Sequence, residues 1–289
     1  MKKTDLSLKS IWLSPLMKII ICGLACILLP ILINKLILES LFQFIGFNEN
    51  LSRAIRAIIS AFILMPLLYH YVLTKFYKQK PFDIKALNPW SGVFWFAVSV
   101  LFIGLVYFIF ILLGFIQVTE FISPKLLLVN GILIMSMVII EEIFFRGIFY
   151  NIIEGRWGTL VALLTSSILF GVMHLPNENT SIASFLSAIS GGIVLGILYT
   201  YTKNLLAPIT FHFGWNLTQV LLGYGLSGGN EFADSYLLKF KTSGSDIITG
   251  GVSGIENSIL VSILLFILFL ILFKMSRQAR LLVPAKKDA

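Results

Sequence analysis

Long apolar runs, separated by short polar segments, dominate the pattern of the chain. Eight runs of about 18 or more residues are bounded by charged residues, proline or glycine. At 1.5 Å per residue, a run of this length crosses the ~30 Å hydrocarbon core of a bilayer. The pattern therefore predicts eight transmembrane helices, at about 16–34, 54–74, 92–116, 126–150, 157–175, 182–201, 205–223 and 256–273.

The composition agrees with this pattern. Of the 289 residues, 57% are apolar and 12% are charged, whereas an average soluble domain carries about 25% charge. We therefore expect an all-α polytopic membrane protein that has the lipid bilayer around it. The net charge of +8 is typical of cytoplasmic loops in such a protein, and we expect no nucleic-acid partner.

The distribution of basic residues predicts the orientation of the helices. If the N-terminus is cytoplasmic, the eight spans leave 16 of the 22 Lys and Arg residues on the inside and 6 on the outside. Because basic residues favour the cytoplasmic side, this bias predicts that both termini are cytoplasmic. The first apolar run continues past the length of a signal peptide, so we predict that it is a retained helix.

The chain divides into three segments by content. Residues 1–90 hold a tail and two accessory helices, 91–225 hold the polar motifs described below, and 226–289 hold a loop, the last helix and a basic tail. The loop at about 224–255 is rich in glycine and serine, which predicts a flexible linker. Cys22 and Cys26, one helical turn apart, are interpreted as small packing residues.

Polar residues within the fourth run are the first candidates for chemistry, because ionisable groups are costly inside a membrane. Glu142 and Arg146 are four residues apart, so they share a helical face and are able to pair. Glu141 is rotated about 100° from that face. A partly desolvated carboxylate without such a partner suits a group that takes and returns a proton. The alternative is an ordinary ion pair at a helix end.

Two further pairs with the same spacing lie in later runs. Phe170 and His174 share one helical face, and so do His212 and Asn216. Counted from the predicted cytoplasmic helix ends, Glu141 and His212 lie about 12–13 Å deep and His174 about 26 Å deep. Two of the three depths agree, and they predict a cavity that is reached from the cytoplasmic half. Each histidine alone is equally explained as a structural hydrogen-bonding group.

Together these groups are compatible with two kinds of hydrolytic site. A carboxylate, two histidines and an asparagine can activate water and stabilise an oxyanion without a metal. Glu141, His174 and His212 are also the ligand set of a catalytic zinc site with an open position. The residues alone leave both open.

The order Glu141-Glu142-x-x-x-Arg146, Phe170-x-x-x-His174 and His212-x-x-x-Asn216 on successive helices resembles the CPBP family of intramembrane proteases. That family comprises type II CAAX prenyl endopeptidases and the bacteriocin-processing and immunity proteins of the Abi group. The resemblance covers about residues 90–225, and all three motifs are complete.

The resemblance implies a role for each motif residue. Glu141 and His174 would activate the attacking water, His212 and Asn216 would stabilise the oxyanion, and Glu142, Arg146 and Phe170 would support the arrangement. We favour a mechanism without a cofactor, because asparagine is a good oxyanion donor and a poor zinc ligand. A divalent metal, zinc in particular, bound by Glu141, His174 and His212 is the alternative.

The resemblance also implies a substrate class and a location. We expect an endopeptidase that cleaves a membrane-associated peptide or protein, either prenylated or of the bacteriocin type, in a bacterial plasma membrane. A non-catalytic binding or immunity protein on the same scaffold, or a transporter, is the alternative function. A transporter would be expected to show inverted repeats with interrupted helices, which the sequence lacks.

Other patterns receive simpler interpretations. Gly225-Leu226-Ser227-Gly228-Gly229 matches the nucleophile pattern of serine hydrolases, but it lies in the predicted outer loop and no histidine follows it. His70, between two tyrosines, is interpreted as part of an interfacial aromatic belt. The small residues Ser184, Ala188, Gly192 and Gly196 form a stripe that predicts close helix packing.

Overall fold

The computed structural model describes residues 15–76, 88–226 and 229–286, and most of these residues are helical. Ser227 and Gly228 of the serine-hydrolase pattern and the side chain of Cys22 lie outside the described part, whereas Cys26 is buried. In chain order the helices are α1 (15–45), α2 (49–76), α3 (Pro89–Leu112), α4 (127–157), α5 (159–173), α6 (Ile182–Thr202), α7 (Leu206–Leu221) and α8 (Ile259–Gln278).

Six helices among the described residues are long and apolar enough to cross a membrane. This confirms a helical, multi-pass membrane protein. In that count α4 and α5 form one continuous stretch, Leu127–Met173. Helix α7 has 16 residues, fewer than the roughly 20 that usually span a bilayer. Eight crossings and cytoplasmic termini therefore stay predictions.

The chain reverses direction at Gly158, between α4 and α5. The ring centroids of Phe145 and Phe170 are 5.0 Å apart, although 25 residues of straight helix would separate them by about 37 Å. Gly158 has φ +83°, a conformation that L side chains rarely adopt. The glycine thus permits a tight hairpin that brings the first two motifs side by side.

The C-terminal tail lies across this reversal. The backbone N–H of Thr159 donates to the carbonyl of Val283 at 2.9 Å, and the N–H of Val283 donates to the hydroxyl of Thr159 at 2.8 Å. A Cβ on Gly158 would come within 2.7 Å of the backbone nitrogen of Ala285. The absence of a side chain at 158 therefore also makes room for the tail.

Several helices contain π-helical turns, which the sequence analysis does not predict. In α1, Ile33–Leu38 joins Pro15–Leu32 to Glu39–Ile45, and in α4, Ile143–Tyr150 follows Leu127–Glu142 directly. In α2, the π-helical turns Ser60–Leu64 and Val72–Phe76 follow Glu49–Ile59 and Met65–Tyr71. Such turns insert an extra residue into the helical repeat and are frequent at functional sites. The turn in α4 begins immediately after the glutamate pair.

The prediction that the loop after α7 is a flexible linker is wrong, and the all-α expectation needs a correction. Strand β1 (Ile116–Phe121) pairs with strand β2 (Leu238–Thr242) in an antiparallel ribbon. The loop also contains a helical turn, Asp246–Thr249, and the 3-10 turns Ala233–Ser235, Gly251–Ser253 and Ile255–Asn257. Phe232 and Ile255 are buried, and Asn130 donates to Ser235 at 2.9 Å. The glycines of this segment form turns of a packed structure.

The bundle has two different ends. At the ribbon end lie the ribbon and the loops that follow α1, α3, α5 and α7. At the Gly158 end lie the reversal, the C-terminal tail and the turn between α6 and α7, where the hydroxyls of Tyr150 and Thr200 are 2.5 Å apart. The helices alternate in direction between the two ends.

The small-residue stripe on α6 packs as predicted. A Cβ on Gly192 would approach the Cα of Ser167 to 3.0 Å, and one on Gly196 would approach the side chain of Leu163 to 2.9 Å. Helices α5 and α6 therefore pack at a distance that only small residues allow. A Cβ on the neighbouring Gly191 would meet nothing within 4 Å, because this residue faces open space.

Candidate active site

Glu142 and Arg146 form the predicted ion pair, in a fully buried position. Arg146 Nη1 donates to Glu142 Oε1 at 2.7 Å, and both side chains have no solvent exposure. Arg146 Nη2 donates to the carbonyl of Gly192 at 3.0 Å, so the pair also ties α4 to α6. The guanidinium carbon lies 4.9 Å from the ring centroid of Phe170 on α5, within cation–π range. Three helices are thus held together by one arginine.

His212 joins this buried pair to the second glutamate. Its Nδ1 lies 2.9 Å from Glu142 Oε1, and its Nε2 lies 3.8 Å from Glu141 Oε2. Because a carboxylate that is ion-paired with Arg146 is an acceptor, Nδ1 of His212 is the donor in this contact. The Nε2 atom is therefore the one that is directed toward Glu141.

His174 directly follows helix α5, as its C-cap, and has a fixed tautomer. Its Nδ1 lies 2.7 Å from the carbonyl oxygen of Phe170. A carbonyl only accepts, so Nδ1 carries the hydrogen and Nε2 of the neutral ring has a free lone pair. The rings of Phe170 and His174 lie 4.4 Å apart, and the ring of Phe170 is 5.9 Å from that of His212. Both histidine rings thus pack against the ring of Phe170.

All four residues with proposed chemistry line one cavity of about 890 Å³: Glu141, His174, His212 and Asn216. The side chain of Glu141 is 24% exposed, whereas the side chains of Glu142 and Arg146 are fully buried and do not line the cavity. Asn216 is largely buried, one helical turn after His212, and its amide has no hydrogen-bond partner among the described residues. The described contacts place Glu141 beside His212, and they include no direct contact between Glu141 and His174.

The cavity opens at the ribbon end, and the expectation of access from the opposite end is wrong. Its rim includes the exposed residues Asn177 and Glu178, which follow α5, and Glu231, which follows α7. The expectation assumed that α4 ends at about residue 150. Helix α4 instead continues to 157, so Glu141 lies 17 residues before Gly158 and His174 lies 16 residues after it. This equal spacing removes the apparent difference in depth between Glu141 and His174.

The sequence analysis missed part of the cavity wall. Glu256, from the loop before α8, accepts hydrogen bonds from Trp215 at 3.0 Å and Gln219 at 2.9 Å. Helix α1 contributes Lys35 and Glu39 to the lining. Glu256 is a carboxylate at the start of the last apolar run, and this position was the signal in the sequence. Because Glu256 is far from the motifs in sequence, its place in the cavity wall could not be predicted.

The described side chains do not fit a three-ligand metal site. Among residues 15–76, 88–226 and 229–286, no three His, Cys, Asp or Glu side chains converge closely enough to hold an ion. Glu141 and His212 are near neighbours, but the described contacts include none that joins His174 to either of them. We therefore derive no step through a metal.

A comparison with family models matches residues 123–218 to the type II CAAX prenyl endopeptidase Rce1-like family. Comparisons with curated proteins and with solved structures gave no significant match. The matched segment is narrower than the region of about 90–225 that the motifs suggested, and it contains all seven motif residues. It thereby confirms the resemblance of the chain to the CPBP family of intramembrane proteases.

Proposed function

We propose that the protein is an intramembrane endopeptidase that hydrolyses a peptide bond within the cavity. The observation that carries the proposal is the convergence of Glu141, His174, His212 and Asn216 on one cavity, within a segment that matches a protease family. The substrate is a membrane-associated peptide or protein, and a prenylated or bacteriocin-type peptide fits this class.

Glu141 is the general base of the proposed reaction. Its carboxylate takes a proton from a water molecule while the water oxygen attacks the carbonyl carbon of the scissile bond. His174 Nε2 accepts a hydrogen bond from the same water, which therefore bridges the two residues. The carbon–nitrogen bond then breaks, and the leaving amine takes the proton back from Glu141. The products are a carboxylic acid and an amine, so the step requires water alone.

His212 and Asn216 stabilise the oxyanion that forms on the attacked carbonyl. Asn216 donates from its amide, and His212 donates from Nε2 when its ring carries both hydrogens. The positive charge of that ring is compensated by Glu142, whose Oε1 is 2.9 Å from Nδ1. A buried carboxylate on the far side of a histidine has the same role in serine proteases, where it stabilises the imidazolium.

The two glutamates therefore have different roles in the proposal. Glu141 faces the cavity and exchanges a proton, whereas Glu142 is a positioning residue that holds His212. Arg146 and Phe170 fix Glu142 and the two histidine rings, as the sequence analysis expected. Residues of this kind do not touch the substrate, so their replacement acts through the geometry of the site.

The proposal is tested by comparing the peptides of cells that lack the protein with those of cells that carry it. The cells are complemented with the wild type, with Glu141→Gln or with an empty vector, and membrane and secreted peptides are compared by mass spectrometry. We expect the same uncleaved precursors to accumulate with the empty vector and with Glu141→Gln. A synthetic peptide that spans the identified site then serves as substrate for the purified protein.

The same experiment addresses a non-catalytic role. If Glu141→Gln restores both the peptide profile and the biological activity at normal protein levels, the catalytic proposal is wrong. A binding or immunity protein on this scaffold would then explain the activity.

A further inference from the structure

The side of the membrane from which the substrate enters follows from two independent features of the bundle. One is the position of the cavity mouth relative to the two ends. The other is the distribution of charge between those ends.

The cavity is open at the ribbon end and closed at the other. Its rim is formed by the segment after α5 and by Glu231, and Glu256 and Asn257 line its wall near the same ribbon end. Toward the Gly158 end, hydrogen bonds between helices close the bundle: the buried pair Tyr150 and Thr200, and the partly buried pair of Asn151 and the hydroxyl of Tyr199 at 2.8 Å. Water and a peptide therefore reach Glu141 from the ribbon end.

The short helices α5 and α7 place the mouth of the cavity below the membrane surface. Helix α5 spans residues 159–173, about 22 Å, and α7 has 16 residues, about 24 Å. Both are shorter than the ~30 Å hydrocarbon core, so irregular backbone follows them at membrane depth. Such backbone is tolerated where it lines a water-filled cavity. The segment after His174, with Asn177 and Glu178 on the rim, is of this kind.

The two ends carry opposite balances of charge. Among the described residues, the Gly158 end carries eight basic residues and one acidic residue, and the ribbon end carries six basic and eight acidic residues. The residues of the Gly158 end are Lys18, Lys75, Arg156, Lys203, Lys274, Arg277, Arg280, Lys286 and Glu154. Those of the ribbon end are Lys35, Arg53, Arg56, Lys125, Lys239, Lys241, Glu39, Glu49, Glu120, Glu178, Glu231, Asp234, Asp246 and Glu256.

The rest of the sequence strengthens this asymmetry. Seven further lysines and three aspartates fall in segments 1–14, 77–87 and 287–289, which in chain order adjoin α1, α2, α3 and α8 where these helices meet the Gly158 end. Basic residues in short loops favour the cytoplasmic side, and acidic residues contribute little to orientation. The charge distribution therefore assigns the Gly158 end to the cytoplasm.

We propose that the catalytic cavity opens on the extracytoplasmic side of the membrane, so that the cleaved peptide segment is one presented from that side. The statement about cleavage rests on the proposed function. The statement about the cavity mouth does not, because the position of an opening is measured without catalysis.

The experiment uses single-cysteine variants of the full chain in which Cys22 and Cys26 are replaced by alanine. Glu231→Cys probes the exposed rim, and Gly191→Cys probes the cavity wall, where an added Cβ meets nothing within 4 Å. Arg277→Cys, exposed on α8 at the Gly158 end, is the matched control. Right-side-out and inverted membrane vesicles are treated with a small, membrane-impermeant methanethiosulfonate, and modification is read by mass spectrometry.

We expect Glu231→Cys and Gly191→Cys to react at least tenfold faster in right-side-out than in inverted vesicles, and Arg277→Cys to show the reverse. Reaction of Glu231→Cys only in inverted vesicles would overturn the proposal. So would a Gly191→Cys thiol that reacts only from the cytoplasmic side. If a variant does not accumulate, Glu178→Cys replaces the rim probe and Lys286→Cys replaces the control.

This result is separable from the proposed activity. The same labelling is repeated with Glu141→Gln, which is expected to leave the pattern unchanged. Labelling from the wrong side therefore refutes the access route alone, whereas a normal pattern without any cleavage by the wild type refutes the enzyme alone.

Discussion

Glu141 and Glu142 are adjacent in sequence, yet they belong to different regions of the molecule. One region is a buried network in which Glu142, Arg146 and the Gly192 carbonyl are fully enclosed. The other is the cavity wall, where Glu141 is partly exposed and close to Nε2 of His212. His212 contacts both, with one ring nitrogen toward each. In the proposed function, a one-residue step along a helix thus separates the carboxylate that stabilises the fold from the carboxylate that exchanges a proton.

The sharpest test of this separation is Glu141→Gln. We expect the loss of a general base to lower the rate of peptide cleavage by about 10²- to 10⁴-fold. Because Gln keeps the size of the side chain and Glu141 has no ion pair with Arg146, the melting temperature of the detergent-solubilised protein should stay within a few degrees. Glu142→Gln is the matched control, since it should lower the melting temperature as well as the rate.

Arg146→Met tests the buried network. Removing the arginine leaves the carboxylate of Glu142 enclosed without its cation, which we expect to cost about 3–5 kcal/mol in the free energy of unfolding. The measurement is the yield of monodisperse protein and its thermal unfolding in detergent. The double variant Glu142→Gln with Arg146→Met removes both charges and should recover part of the loss. A stable Arg146→Met single variant would contradict a structural role for the pair.

Asn216→Ala tests the proposed oxyanion donor on α7. If Asn216 donates to the oxyanion, its removal should lower kcat by about 10²- to 10³-fold, as for other donors of this kind. The thermal stability should change little, because the amide has no hydrogen-bond partner among the described residues. Activity equal to that of the wild type would exclude this role for the amide.

Gly192→Ala is expected to have the smallest effect of the four. The new Cβ would approach the Cα of Ser167 to 3.0 Å, which should push α6 from α5 and lower the unfolding free energy by about 1–3 kcal/mol. Gly191→Ala is the matched control, because its Cβ meets nothing within 4 Å. Equal stability of the two variants would show that the stripe is not tightly packed.

Local spacing was sufficient to predict the ion pair and the packing stripe. The pairing of Glu142 with Arg146 and the close approach at Gly192 both depend on positions three or four residues apart on one helix, which the sequence displays directly. The helical, membrane-embedded character followed from the long apolar runs. These features need no knowledge of the tertiary fold.

Features that depend on distant contacts were not predictable. The end of α4 was misplaced because Glu154, Gly155 and Arg156 follow residue 150 and end the apolar run, although the helix itself continues to 157. The ribbon of β1 and β2 joins segments more than 100 residues apart, and glycines that form its turns resemble those of a linker. The side on which the cavity opens depends on both features, so the sequence suggested the wrong end.

The tail across Gly158 has a consequence for the order of events during synthesis. The backbone of Thr159, at the reversal between the first two motifs, is hydrogen-bonded to Val283, which lies 124 residues later in the sequence. The ribosome completes the motif helices long before residue 283 is made. This turn therefore waits for its partner until residue 283 has been translated, and a change that removes Val283 acts directly on the hairpin that carries Glu141 and His174.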